Sequence, residues 1–486
     1  MKLTPSFFRR ACIALLLAVA TGCAQNPVSG KQNLALVSEA DEIRIGKQGD
    51  LDIKKEYGFY DLPKLQEYVD MVGQKLARNS HRSNLEFHFT VVDSPEINAF
   101  ALPGGYIYIT RGLLAYLNSE AELAAVLGHE IGHVTARHSV QQMSAAYAAD
   151  IAVQIASIFA PELGSAVGRN LVNVLGGALL SGYGREHELE ADRLGAQYLA
   201  KTGYDPQAMV QVIRVLKNQE LFDAEIAKQE GREPRAYHGL FATHPDNDTR
   251  LKEVVGEAAQ WAQPGATLNK RAEFLAQSDG LVYGDDPRQG VIRGNVFYHT
   301  DLGFSLTFPP DWRIKNQPDR LLAGSPDSEA MIELKMAEGS KESPADLLRR
   351  LLNLTTTDEL EATTVNGLQA AFATVRRQAR PIRAGAVILN GNAYLMVGGG
   401  ASAAAFERRL KEIDGTLHSF RALDDAERKQ VKPLHITTVQ AKPGTTYAKL
   451  AQRSPLGKNA EGILRLLNAM YPSGEPAAGQ TVKVVE

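Results

Sequence analysis

The sequence predicts an α+β chain, with a mostly helical first part that contains a short sheet, then a small α+β part, then a short closing unit. Three observations predict it. Apolar residues recur at helical spacing through much of the first half, with short alternating runs between Phe87 and Ile109. Composition changes at Gln263-Pro264-Gly265, where a Gly/Asp-rich stretch begins. Beyond it, strand-like alternation dominates.

Taken in order, Ser38 and Glu39 open a helix in which Ile43, Ile45 and Leu51 form the apolar set. Leu65, Val69, Val72 and Leu76 mark a second helix at near 3.6 spacing. Phe87 to Val92 alternates as a strand. Asn98 to Ile109 reads as a strand pair turning at Gly104-Gly105. Glu120 to His138 predicts one strong helix, and Glu186 to Ala200 another, stopped at Gly203 before Pro206. Between them, Ala145 to Ser181 is apolar and rich in Gly and Ala, but Asp150, Glu162 and Arg169 interrupt it. No window there reaches transmembrane length. It is expected as a helical hairpin over a cleft, with contact to a lipid surface as a second role.

Residues 263–290 are expected as a short helix and linker. Residues 291–422 then carry strands at Phe304 to Phe308 and at Ile332 to Leu334. A hairpin follows through Asn390-Gly391, and a closing helix has Phe406, Leu410, Ile413 and Leu417 on one face. This part shows no catalytic set.

The chain has 486 residues, a formal net charge of -3 and 22% charged residues, so neither a nucleic-acid surface nor a polybasic membrane patch is expected. Lys2, Arg9 and Arg10 followed by an apolar run read as a secretory signal over 1–22. Ala20-Thr21-Gly22-Cys23 resembles a bacterial lipobox, which implies cleavage before Cys23 and lipidation of its thiol. By that resemblance the mature chain is anchored on the periplasmic side of the outer membrane. Cys12 leaves with the signal and Cys23 is consumed by lipid, so the mature chain forms no internal disulfide.

His129-Glu130-Ile131-Gly132-His133 is an H-E-x-x-H motif. Spacing of four puts both imidazoles on one helix face, where they can bind one metal ion. Zinc lowers the pKa of its water to about 7, and Glu130, beside the first histidine, can take that proton during attack on a peptide carbonyl. Ligand type favours one Zn2+ per chain. A third protein ligand is needed. Glu188 and Asp192 share a helix face four residues apart, so one can bind metal while the other orients a ligating histidine. Spacing alone leaves Glu186 and His187 open, and it turns Glu190 to the far side if Glu188 points inward. His138, five residues after His133, is expected as a cation at the helix end. His187 is expected to face solvent or to pack beside Glu188.

Together these motifs resemble the HtpX/BepA-type family of zinc metallopeptidases, gluzincins by ligand set. That family's second motif is an acidic ligand followed by Ala-Asp, with an Arg three residues before it. The match selects Glu188 as ligand, with Arg185, Ala191 and Asp192 in their places. The resemblance implies a mostly helical zincin-type protease domain over 24–262, whose edge strand, near Asn98 to Gly105, binds substrate in extended form. Thr243-His244-Pro245 and Arg250 also match, which implies a switch or transition-state role for His244. The implied substrates are proteins or peptides, namely misfolded or stalled envelope proteins. The rival reading is a self-inhibited, chaperone-like binding protein with its cleft held shut. In 430–486, Val439, Pro443-Gly444-Thr445, Tyr447, Leu450-Ala451, Ile463-Leu464 and Leu467-Asn468 resemble a LysM module. That resemblance implies a small βααβ domain with peptidoglycan as a partner.

Overall fold

The structure, a computed structural model, describes residues 23–30, 32–34, 36–145, 183–230, 267–337, 342–355, 358–376 and 380–486, with Glu253, Gly256, Gln260 and Trp261. The signal segment 1–22, the apolar stretch over 146–182, His244 and Arg250 lie outside the described residues. Helix and sheet are mixed, as expected of an α+β chain. The chain divides into two compact units. One comprises the residues up to Asp52, Phe59–Leu281 and His435–Glu486, and the other Ile53–Gly58 and Val282–Leu434.

In the first unit, a two-stranded ribbon of β1 (Cys23–Gln25) and β2 (Gln32–Leu34) precedes helix α1 (Glu39–Tyr57), whose last residues, from Ile53, belong to the second unit. Of the apolar set expected for α1, Ile45 is partly buried against Val37, Val140 and Met143, but the other two residues do not face inward. Ile43 and Leu51 are exposed, while Glu42 and Gly46 face inward. The reason is close packing: a side chain at Gly46 would meet the carbonyl of Pro103. Helix α2 (Pro63–Ala77) begins with proline at N1 and buries Leu65, Val69, Val72 and Leu76, as their spacing predicts.

Strands β3 (His88–Val92), β4 (Ala99–Leu102) and β5 (Tyr106–Thr110) form a sheet in the order β3-β5-β4. β3 pairs with β5 in parallel, and β4 pairs with β5 antiparallel, which leaves β4 at an edge. The turn between them needs its glycines: Gly104 and Gly105 have φ of 78° and 95°. A short helix α3 (Arg111–Tyr116) leads to α4 (Glu120–Thr135), capped by Ser119, whose hydroxyl accepts from the Glu122 amide. Every residue of α4 is buried. The helix expected to run to His138 ends earlier: Arg137 has φ of 57°, and a new helix starts at 138. A left-handed residue other than glycine costs roughly 1–2 kcal/mol. Here the Arg137 guanidinium is held by Glu42 Oε2 at 3.0 Å and by the Val37 carbonyl at 3.0 Å, which offsets that cost.

Helix α5 (Arg185–Lys201) packs on α4 at close range. A Cβ on Gly132 would sit 2.9 Å from the carbonyl oxygen of Ala191, so glycine sets the separation of the two helices. Helix α6 (Gln207–Glu230) and helix α7 (Arg271–Ser278) complete this part. The stretch expected as a linker thus contributes core, since Phe274 and Leu275 of α7 are buried.

The C-terminal segment has the order β-α-α-β. Strands Leu434–Gln440 and Thr481–Val485 pair antiparallel around helices Tyr447–Ala451 and Ala460–Leu467. From His435 onward it clusters with the first unit rather than forming a separate third one. Lys483 reaches the carbonyls of Ala115 and Leu117, and the Asn118 side chain donates to the Leu467 carbonyl at 3.1 Å.

The second unit is built on a seven-stranded antiparallel sheet that runs from Arg313–Gln317 at one edge to Glu359–Val365 at the other. The predicted hairpin joins Ile382–Leu389 to Asn392–Gly400, with Asn390 and Gly391 both at positive φ, as a two-residue turn requires. Helix Ala403–His418 buries Phe406, Ile413 and Leu417, and Leu410 packs against the same core.

Candidate active site

Close contact between α4 and α5 brings His129, His133 and Glu188 together, all three buried. Their ligand atoms lie within 4.8 Å of one another. His129 Nε2 is 3.0 Å from His133 Nε2, and the Glu188 carboxylate lies 3.6 Å from the first and 3.4 Å from the second. Among the described residues this is the one trio of histidine, cysteine or carboxylate side chains so arranged.

The outward nitrogens explain why the inward ones carry lone pairs. His129 Nδ1 lies 2.8 Å from Asp192 Oδ1, and a carboxylate there only accepts, so the ring proton sits on Nδ1 and Nε2 is bare. His133 Nδ1 lies 2.8 Å from His138 Nδ1, and His138 Nε2 lies 3.2 Å from Glu190 Oε2. His138 donates to Glu190 from Nε2, which leaves its Nδ1 to accept the His133 proton. His133 Nε2 is then bare as well. Burial holds the His133 imidazole well below its ordinary pKa, hence neutral, which is the form that ligates. Two bare nitrogens facing each other at 3.0 Å beside a carboxylate repel one another unless a cation lies among them. Two imidazoles and one carboxylate are a catalytic zinc donor set, so the residues present fit that ion.

Glu130 is buried on the same helix. The expectation for His138 is corrected. It is fully buried and is the hydrogen-bond partner of His133, because the left-handed turn at Arg137 folds it back. Glu190 does not point away from the site either. It accepts from His138, and that hydrogen bond holds its carboxyl below the ordinary value. His187 is half-buried and stacks on His138 with ring centres 4.2 Å apart. Tyr183 stacks on His133 at 3.9 Å, and its hydroxyl is 2.7 Å from Ser139 Oγ. Sequence spacing carried no signal for His138, Glu190 or Tyr183, since each acts through the break after α4 or from the far end of a long connection. His244 and Arg250 fall outside the described residues, and Cys23 is described only through its backbone in β1.

Residues 63–258 match the model of peptidase family M48. The Beta-barrel assembly-enhancing protease of Escherichia coli (strain K12) is 31% identical over 259 residues, 50% of this chain and 50% of that one. Mitochondrial metalloendopeptidase OMA1 of Schizosaccharomyces pombe is 29% identical over 231 residues, 47% of this chain and 64% of that one. Metalloprotease YcaL of Escherichia coli (strain K12) is 28% identical over 235 residues, 44% of this chain and 89% of that one. The chain spans about half the length of the assembly-enhancing proteases it matches. The family match contains His129, His133, Glu188 and Asp192, so it is over residues 63–258, which hold the trio, that this chain is similar to peptidase family M48.

Proposed function

We propose that the chain is a zinc-dependent endopeptidase acting on proteins or peptides. The observation that carries this reading is the buried trio of His129, His133 and Glu188 with its inward-facing lone pairs. His129, His133 and Glu188 would hold a zinc ion, which when bound would supply Lewis acidity toward the scissile carbonyl and the attacking water. Glu130 takes the proton of that water and later delivers it to the leaving amine. Asp192 fixes the tautomer and orientation of His129, as His138 and Glu190 do for His133. Edge strand β4 offers backbone donors and acceptors to an extended substrate, which would add as a further strand beside α4. His244 acts as a switch or in the transition state, with Arg250 near it in sequence.

The finer reading is an outer-membrane lipoprotein, anchored through Cys23, that degrades misfolded or stalled envelope proteins. The lipobox resemblance and the printed name of the assembly-enhancing relatives support it. Casein cleavage and zinc content of the mature chain, as wild type and Glu130→Gln, test the enzymatic core. The variant should keep one zinc and lose cleavage by about 10²-fold or more. Cleavage by the variant at the wild-type rate would remove the mechanism, and zinc without cleavage in either protein would favour a self-inhibited binding protein.

A second reading, that the C-terminal segment binds peptidoglycan, is favoured by its β-α-α-β order and its LysM-like residues. Co-sedimentation of the whole chain with purified peptidoglycan tests it. Protein left wholly in the supernatant would set this reading aside.

A further inference from the structure

One carboxylate of α1, the helix that precedes the family match, joins three separate elements. Glu42 in α1 is 1% exposed. Its Oε1 accepts from Arg82 Nη1 at 2.7 Å and from the Gly104 amide at 3.3 Å. Its Oε2 accepts from Arg137 Nε at 3.0 Å. Each partner has a place relative to the site. Gly104 is the turn that ends β4, the edge strand. Arg82 also donates to the Val134 carbonyl in the last turn of α4, at 3.2 Å. Arg137 is the left-handed residue whose turn delivers His138 to His133.

A buried carboxylate flanked by two guanidinium groups is stabilised only while those partners stay in place. Its loss leaves buried Arg82 paired with Glu39 and part-buried Arg137 held by the Val37 carbonyl, and it loosens the turn at Arg137, a residue type that does not favour positive φ. We propose that Glu42 is a positioning residue for both halves of the site: through Arg137 and His138 it sets metal ligand His133, and through Gly104 it sets the end of the substrate-binding edge strand. Helix α1, which lies before the start of the family match at residue 63, thereby takes part in positioning the site. This inference rests on the peptidase reading.

The test uses the mature full chain, with zinc affinity measured by competition with a chelator and KM and kcat measured on casein, well below the unfolding temperature. Glu42→Gln should weaken zinc about tenfold or more, as loss of groups that orient a ligand does, and should raise KM at saturating zinc. A merely structural role would lower Tm but leave both values unchanged, and a folded Glu42→Gln with wild-type zinc affinity and KM overturns the proposal. Should that variant not fold, Arg137→Ala removes the guanidinium that ties this left-handed turn to Glu42, without supplying a glycine to hold the turn in its place. It should weaken zinc about tenfold with KM unchanged, and unchanged zinc affinity overturns the proposal. A wild-type chain that binds no zinc would instead overturn the peptidase reading, and this inference with it.

Discussion

The ammonium group of Lys483, in the final strand, donates to the carbonyl oxygen of Ala115 at 2.5 Å and to that of Leu117 at 2.7 Å. These carbonyls belong to the segment that enters α4, so the last strand is tied to the helix that carries the metal ligands. Glu122 of α4 and Arg271 of α7 are the charged groups that face Lys483. Glu122 is itself fixed there, accepting from the Asn118 amide at 2.7 Å.

Burial pushes Lys483 from 10.5 down to about 7, with Glu122 opposing that shift and Arg271 adding to it. The unfolded chain therefore binds a proton that the folded one releases between about pH 7 and 10.5, and this residue makes stability rise with pH across that window. The difference in Tm between wild type and Lys483→Met, followed from pH 7 to 10, should grow in favour of the wild type. A pH-independent difference would show that Lys483 stays charged when folded.

Asp192→Asn removes the charge that holds His129 by its Nδ1 while leaving the three ligands in place. Zinc affinity should fall by about 10–100-fold, with one zinc per chain still bound at saturation. Chelator competition measures it. An unchanged affinity would mean that the helix backbone alone orients His129.

Gly132→Ala places a Cβ 2.9 Å from the Ala191 carbonyl oxygen and should destabilise the fold by about 1–3 kcal/mol. Gly128→Ala meets first a methyl group of Leu199, at 3.1 Å, which can yield. Helix propensity favours alanine by about 1 kcal/mol at both positions, so Gly128→Ala should be close to neutral. Denaturant midpoints at equal slope distinguish the two variants, and equal losses would mean that α5 moves as a rigid body.

Zinc removal should lower stability by an amount set by mass action, about 2.7 kcal/mol between no zinc and free zinc at one hundred times Kd. Thermal melts with and without chelator check this. A Tm indifferent to zinc, in a chain shown to bind it, would mean that the unfolded chain binds the ion as strongly.

Glu188 and the second histidine ring show where sequence reading reached. H-E-x-x-H at spacing four and Glu188 four residues before Asp192 are local facts, because one helical turn fixes which side chains share a face. Both helices formed, and their named residues met. The helix of Leu65, Val69, Val72 and Leu76 and the Asn390-Gly391 hairpin were legible for the same reason.

What the sequence by itself determined was therefore each element and the residue types at its faces, since period and turn chemistry act over a few residues. Only the tertiary structure decided which face of α1 was buried, that α4 breaks at Arg137, and that His138 and Glu190 stand behind His133. It likewise decided that strand Thr481–Val485 packs with the peptidase domain. Those outcomes depend on partners distant in sequence, such as Glu42 for Arg137 and Ala115 for Lys483. The cost of a left-handed residue or a buried charge is offset only where such partners converge, and no local pattern records that convergence.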